Sequence, residues 1–182
     1  MAAEARAASG VFIGLGANLG DPRAQLRAAL AALDRGPATR VRRVSHAFRT
    51  PPWGPVAQPA FVNAVAEIET ALDPEALVAR LLDIEAAAGR VRGGERWGPR
   101  LIDLDLLLHG ELRLDRPGCH VPHPRMHQRA FVLVPLAQLA PRLEIPGVGA
   151  VAQALAALPG LERAAVVDLG PLAVDQPATA HG

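Results

Sequence analysis

The chain carries a single cysteine, Cys119, which excludes an intrachain disulfide and any cysteine-rich zinc site. Charge or proline interrupts every apolar run well short of the roughly 18 residues a membrane span needs. Residues 1–9 are alanine-rich but include Glu4 and Arg6, so they do not read as a secretion signal. A cytoplasmic protein with no membrane partner is the expectation. Charge of one sign is scarce too. The net charge of +1 argues against a generic polyanion binder, because the positive charge is local. Aromatic residues make up only 3%, too few for the stacking platform of an RNA-recognition-like sheet. What is present is a 182-residue chain, 50% hydrophobic and 20% charged, which suits one domain with a sizeable core. The expected organisation is a mobile N-terminal tail at 1–9, a single domain at 10–170 and a C-terminal tail at 171–182.

One stretch concentrates the chemistry: GRVRGGERWGPRLIDLDLLL, from Gly89 to Leu108. Its first half sets Arg90, Arg92, Arg96 and Arg100 around Gly93, Gly94 and Trp97. Its second half reads as a strand, on which alternate side chains share a face. Asp103 and Asp105 then point one way, and Ile102, Leu104, Leu106 and Leu108 the other. Two carboxylates about 6.5 Å apart along a strand repel by roughly 2.5 kcal/mol at an effective dielectric near 20. A divalent cation would offset that cost. Mg2+ typically takes one or two protein carboxylates and completes its shell with phosphate oxygens, and neighbouring arginines supply planar donors for phosphate. A solvated strand face beside a basic loop is the alternative.

Upstream, Val11–Leu15 reads as a first strand. The glycines that follow miss a dinucleotide fingerprint, since the third falls at Leu19, and no G-K-[ST] follows to make a P-loop. Asp21 and Pro22 open a helix whose face is Leu26, Leu30 and Leu33, ending near Asp34. Val41–Arg49 is a second strand. The proline-stiffened loop from Thr50 through Pro51, Trp53 and Pro55 is either a connector or a binding wall. Phe61–Thr70 is a third strand. One face is apolar (Val62, Ala64, Ala66, Ile68), while Phe61 and Asn63 share the other, an aromatic beside an amide suited to a planar heterocycle. Asp73 and Pro74 open a second helix carrying Leu77, Leu81 and Ile84, with Glu85 expected as a surface residue on its flank.

The order β-α-β-β-α-β predicts a ferredoxin-like α+β fold: a four-stranded antiparallel sheet with helices on one face, plus a C-terminal extension. Phe61, Asn63, Asp103 and Asp105 should gather on the open face. Beyond the fourth strand, Gly110–Arg116 reads as a short hairpin. His123 sits in a proline-bracketed turn, Arg125 and Arg129 follow, Phe131–Leu139 is apolar, and 149–158 suits a short helix.

Five segments together resemble the 6-hydroxymethyl-7,8-dihydropterin pyrophosphokinase family. They are G-x-G-x-N-L-G at Gly14–Gly20, RTPPWGP at Arg49–Pro55, QPAFVNAV at Gln58–Val65, the Gly89–Leu108 stretch, and VPHPRMHQRAFVLVPL from Val121. The resemblance runs from about Val11 to Pro141. It implies a ferredoxin-like fold and transfer of pyrophosphate from ATP, as co-substrate, to a pterin alcohol, with AMP leaving. It further implies that Asp103 and Asp105 ligate two Mg2+ ions, and that Arg90, Arg92 and Arg100 act on the phosphates. His123 and Arg129 would contact the phosphates too, and Glu85 would lie in the nucleotide pocket. Phe61 and Phe131 would sandwich the pterin ring, Asn63 would read its edge, and Trp97 would seal it. Thr50, Pro51 and Trp53 would line the same pocket, with Asn18 beside it and Asp103 reaching the pterin. The expected partners are ATP and the pterin alone, on a monomer. Phe61 stands where the family commonly has tyrosine, Leu82 and Pro124 where some members have polar residues, and Gly93 where some have lysine. The sequence singles out no general base. A metal-dependent phosphohydrolase using the same carboxylates is the rival enzyme, distinguished by its product.

Overall fold

A computed structural model describes residues 10–89 and 100–172. The expected tail at 1–9, the end of the chain after Leu172, and Arg90, Arg92 and Trp97 lie outside the described residues. Strand β1 (Val11–Ala17) leads into helix α1 (Pro22–Asp34), then β2 (Thr39–Val44), β3 (His46–Thr50) and β4 (Phe61–Thr70). Helix α2 (Pro74–Ala87) and β5 (Asp103–His109) follow. Both helices begin where capping chemistry sets them. The Asp21 carboxylate accepts from Ala24 N at 3.1 Å, and that of Asp73 from Ala76 N at 2.8 Å, each with proline at the first helical position.

The sheet runs β3–β4–β1–β5 with every pairing antiparallel, and β2 also lies on β4. This is the ferredoxin-like order, with two differences from the expected four strands. The segment read as one strand over 41–49 is broken at Ser45. Val44 faces Ala66 and Phe48 faces Asn63, so four steps on one strand match three on the other. Ser45 fills the irregularity, its hydroxyl accepting from Val65 N at 2.9 Å. A further strand, β10 (Val167–Pro171), pairs with β3 and makes the sheet six-stranded, although sequence placed its last residue in a tail. Arg23 of α1 holds this strand by donating to the carbonyls of Leu169 and Pro171 at 2.9 and 2.7 Å.

Two cores flank the sheet. Helices α1 and α2 pack Leu26, Leu30, Leu33, Leu77 and Leu81 on Ile13, Leu15, Ala64, Ala66, Leu104 and Leu106, as alternation predicts. Each such leucine, fully buried, contributes about 1.5–3 kcal/mol relative to exposure. The opposite face is half covered by the extension. A hairpin of β6 (Leu114–Arg116) and β7 (Cys119–Val121) comes first, displaced from the expected 110–116. Helix α3 (Ala130–Leu139) follows, then strands β8 (Glu144–Ile145) and β9 (Gly149–Ala150), helix α4 (Val151–Ala157) and helix α5 (Gly160–Ala164). Leu133 and Leu136 of α3 bury against Phe12, Val65, Leu107 and Leu108. Leu108 was expected among the helix-facing leucines. The register between β1 and β5 slips by one residue at Leu107, and beyond that bulge Leu108 joins the second core. No helix among the described residues is long and apolar enough to cross a membrane.

Candidate active site

Register places the site residues in rows across the uncovered end of the second face. Asn63 of β4 lies opposite Gly16 of β1, which lies opposite Asp103 of β5. In the next row Val65, Gly14 and Asp105 stand abreast. Strands are about 4.8 Å apart, so Asn63 and Asp103 flank a glycine floor roughly 10 Å wide. The floor has a steric cause: a Cβ on Gly16 would stand 2.5 Å from Asn63 Oδ1. Gly16 of the G-x-G-x-N segment thus leaves room for the Asn63 side chain.

Over this floor lies a cavity of about 630 Å³, the size of a small-molecule site. At one end Phe61 and Asn63 line it, with Thr50, Pro51 and Trp53 from the proline loop. Asn63 is buried and donates through Nδ2 to the buried Thr50 hydroxyl at 2.7 Å, leaving Oδ1 over Gly16. Phe131, from the first turn of α3, meets the Trp53 ring edge-on at 6.4 Å between centroids. The Arg129 guanidinium lies 5.5 Å from the centre of the Phe131 ring.

The other end is ionic. Arg100 reaches Asp103 at 3.4 Å. Burial, and then the charge of Asp103, push the Asp105 carboxyl up to about 7, against the opposing pull of Arg129. Burial and then Arg129 push His123 down to about 4, so its imidazole is neutral at pH 7. Its Nδ1 accepts from Arg125 N at 3.2 Å, and the His123 backbone N–H donates to the Leu107 carbonyl at 2.9 Å, docking the turn on the outer edge of β5. Burial lowers Arg129 as well, and its Nε is buried with no hydrogen-bond partner. An unsatisfied buried guanidinium donor is costly, and an anionic ligand would satisfy it.

Glu85 corrects the surface reading. Only 2% of it is exposed, and its carboxylate accepts from Leu104 N at 2.7 Å. Leu104 lies between the two aspartates on the edge strand, so Glu85 completes the edge there while its charge helps raise Asp105. The cavity therefore gathers the described site candidates from both chain halves, together with His120, which sequence did not single out. His120 follows the hairpin turn, and its Nδ1 lies 2.6 Å from Asp115 Oδ1. Asn18 is the exception: it does not line the cavity, and its amide is turned to the protein.

Among the described residues no group of three or more His, Cys, Asp or Glu side chains forms a metal cluster. The donor set on offer is the Asp103–Asp105 pair, one half-exposed and one pushed towards neutrality by burial and then by its neighbour. That fits Mg2+, which needs few protein carboxylates when phosphates share it and would offset their mutual repulsion.

Residues 12–141 match a family model described as 7,8-dihydro-6-hydroxymethylpterin-pyrophosphokinase (HPPK). Over 155 residues the chain is 50% identical to a Pseudomonas aeruginosa 2-amino-4-hydroxy-6-hydroxymethyldihydropteridine pyrophosphokinase, covering 84% of this chain and 95% of that one. A Methylorubrum extorquens protein of the same name is 46% identical over 154 residues, covering 84% and 96%. Among solved structures, a Plasmodium falciparum HPPK-DHPS triple mutant with SDX-DHP superposes with a TM-score of 0.64 at 12% identity. That match covers 84% of this chain and 45% of the other, so the chain spans less than half its length, and the likeness is one of fold.

Proposed function

The chain belongs to the 7,8-dihydro-6-hydroxymethylpterin-pyrophosphokinase family, and from that premise we propose how its residues carry out the transfer. It is an ATP-dependent pyrophosphokinase of folate biosynthesis, moving pyrophosphate from ATP to 6-hydroxymethyl-7,8-dihydropterin. Phe61 and Phe131 hold the pterin ring between them, with Thr50, Pro51 and Trp53 closing the wall and Trp97 sealing it. Asn63 Oδ1, freed by the bond of its Nδ2 to Thr50, accepts from the ring's polar edge. Arg100, Arg129 and His123 take phosphate oxygens of ATP, joined by Arg90 and Arg92. Neutral His123 donates one hydrogen bond without repelling the arginines. Asp103 and Asp105 would hold two Mg2+ ions, which would supply charge to offset that building on the attacking and leaving oxygens.

The hydroxymethyl oxygen attacks the β-phosphorus in line. An O–P bond forms, the bond to the α,β-bridging oxygen breaks, and AMP leaves with that oxygen while the hydroxyl proton is given up. Positioning and charge neutralisation do most of the work, as in other phosphoryl transfers. One observation carries this reading: the aspartate pair faces the Phe61–Asn63 end across a floor of glycines, so acceptor and donor share one trough.

The test is AMP release from ATP and Mg2+ with and without the pterin. AMP appearing only with the pterin, alongside a pyrophosphorylated product, is the expected result. ATP hydrolysis regardless of pterin would overturn it in favour of a phosphohydrolase.

A further inference from the structure

Asn18 sits just past the end of β1, only 4% exposed, and spends its side-chain amide and its backbone N–H on the two chain segments that flank the site. Its Nδ2 donates to Gln58 Oε1 and to the Pro59 carbonyl, both at 3.0 Å. Its Oδ1 accepts from Arg100 N at 2.8 Å, and its own N–H donates to the Arg100 carbonyl at 3.1 Å. Gln58 and Pro59 close the proline loop that begins at Thr50, Pro51 and Trp53. Arg100 leads directly into Asp103 and Asp105. An amide offers two donors and an acceptor of fixed geometry. Here both donors point to one wall and the acceptor to the other.

We infer that Asn18 is a positioning residue that fixes the acceptor wall and the phosphate wall of the site in mutual register, without itself touching substrate. The inference rests on the pyrophosphokinase reading of the site. In-line transfer between two substrates held on separate walls depends on their relative placement, and a displacement of about 1 Å can cost about 100-fold in rate. Each wall is separately braced, Asn63 on Thr50 and Glu85 on Leu104 N. Loss of the Asn18 clasp therefore leaves each binding surface intact and lets one shift against the other. The signature is a fall in kcat with both KM values nearly unchanged, because binding is kept and alignment is lost. A direct pterin contact would instead raise the pterin KM, and a merely stabilising residue would lower the melting temperature alone.

The experiment measures kcat, the KM of each substrate, thermal midpoint and pterin-binding stoichiometry for wild type, Asn18→Ala, Asn18→Asp, Gln58→Ala and the Asn18→Ala/Gln58→Ala double variant. Wild-type AMP release comes first, since its absence defeats the parent reading, whereas a variant with wild-type kcat defeats this one. Asn18→Ala is expected to lose about 10- to 100-fold in kcat, with each KM within about threefold and one pterin bound per chain. Asn18→Asp keeps the acceptor for Arg100 N and loses the donors, so its kcat should fall between. Gln58→Ala should lose a few-fold, and the double variant should be no slower than Asn18→Ala, because both break one link. A pterin KM raised tenfold at unchanged kcat, or additive losses in the double variant, would overturn the assignment. Should Asn18→Ala fail to fold, Asn18→Asp and Gln58→Ala carry the same test through their kcat-to-KM split.

Discussion

The second face of the sheet has two ends built on the same three strands, and they differ in everything but backbone. At one end Phe12, Val65 and Leu107 lie under α3 and are sealed by Leu133 and Leu136. At the other, two or four residues along each strand, stand Gly16, Asn63 and Asp103, which line the cavity instead. The same strands carry both ends, and the reach of the extension is what divides them. Where α3 covers the sheet, apolar contact stabilises the fold. Where it stops, the buried Arg129 Nε is left unsatisfied, which a bound anion would relieve. Stability and function should therefore separate cleanly between the ends.

Asp105→Asn tests the polar end and carries the largest expected effect. It removes one of the two carboxylates proposed to hold Mg2+, and kcat should fall by about 10³-fold or more, with pterin affinity by calorimetry kept within a few-fold. The metal-free variant should also melt higher than wild type at pH 8. A carboxyl held near 7 in the fold and at 3.8 in the unfolded chain makes the ionised native state the costly one above pH 7. Turnover near wild type would defeat the aspartate assignment. Phe12→Ala tests the apolar end in the opposite sense. Phe12 is 1% exposed, and its loss should cost about 3–5 kcal/mol in denaturant unfolding while the folded fraction turns over normally. A specific loss of kcat in the folded fraction would show that the two ends are not separable.

The polar end was also the more legible one. Alternation on two strands was enough to set Phe61 with Asn63 and Asp103 with Asp105, and two Asp-Pro caps fixed the starts of α1 and α2. What escaped was decided between strands. The Ser45 break and the Leu107 bulge are choices of register, visible only when the partner strand is known, and the second sent Leu108 to the wrong core. Glu85 looked like a flank residue because helical period reports the helix alone. Its burial answers a need elsewhere, the N–H of Leu104 on the sheet edge. Likewise Gly16 had no reading until Asn63's side chain was seen lying over it, and β10 depends on the edge of β3, more than a hundred residues earlier in the chain.

The smallest expected effect lies within the polar end, where two groups pull stability in opposite directions as pH changes. His123 titrates at about 4 in the fold and 6.5 unfolded, so the unfolded chain binds the extra proton between those values. Its contribution is present above 6.5 and is lost as pH falls to 4. Asp105 does the reverse: between 3.8 and 7 the folded state holds the extra proton, so acid restores stability that neutral pH removes. The two windows nearly coincide, and the metal-free wild type should show little change in midpoint between pH 7 and 5 from this pair. Single variants unmask each half. His123→Gln should gain stability relative to wild type as pH drops to 5, and Asp105→Asn should lose it. Each difference should be about 1–2 kcal/mol after allowance for solvent around a partly exposed ring. Parallel pH profiles for all three proteins, measured by thermal melts in EDTA, would mean that neither side chain feels the buried, charged surroundings on which the ionic end of the site depends.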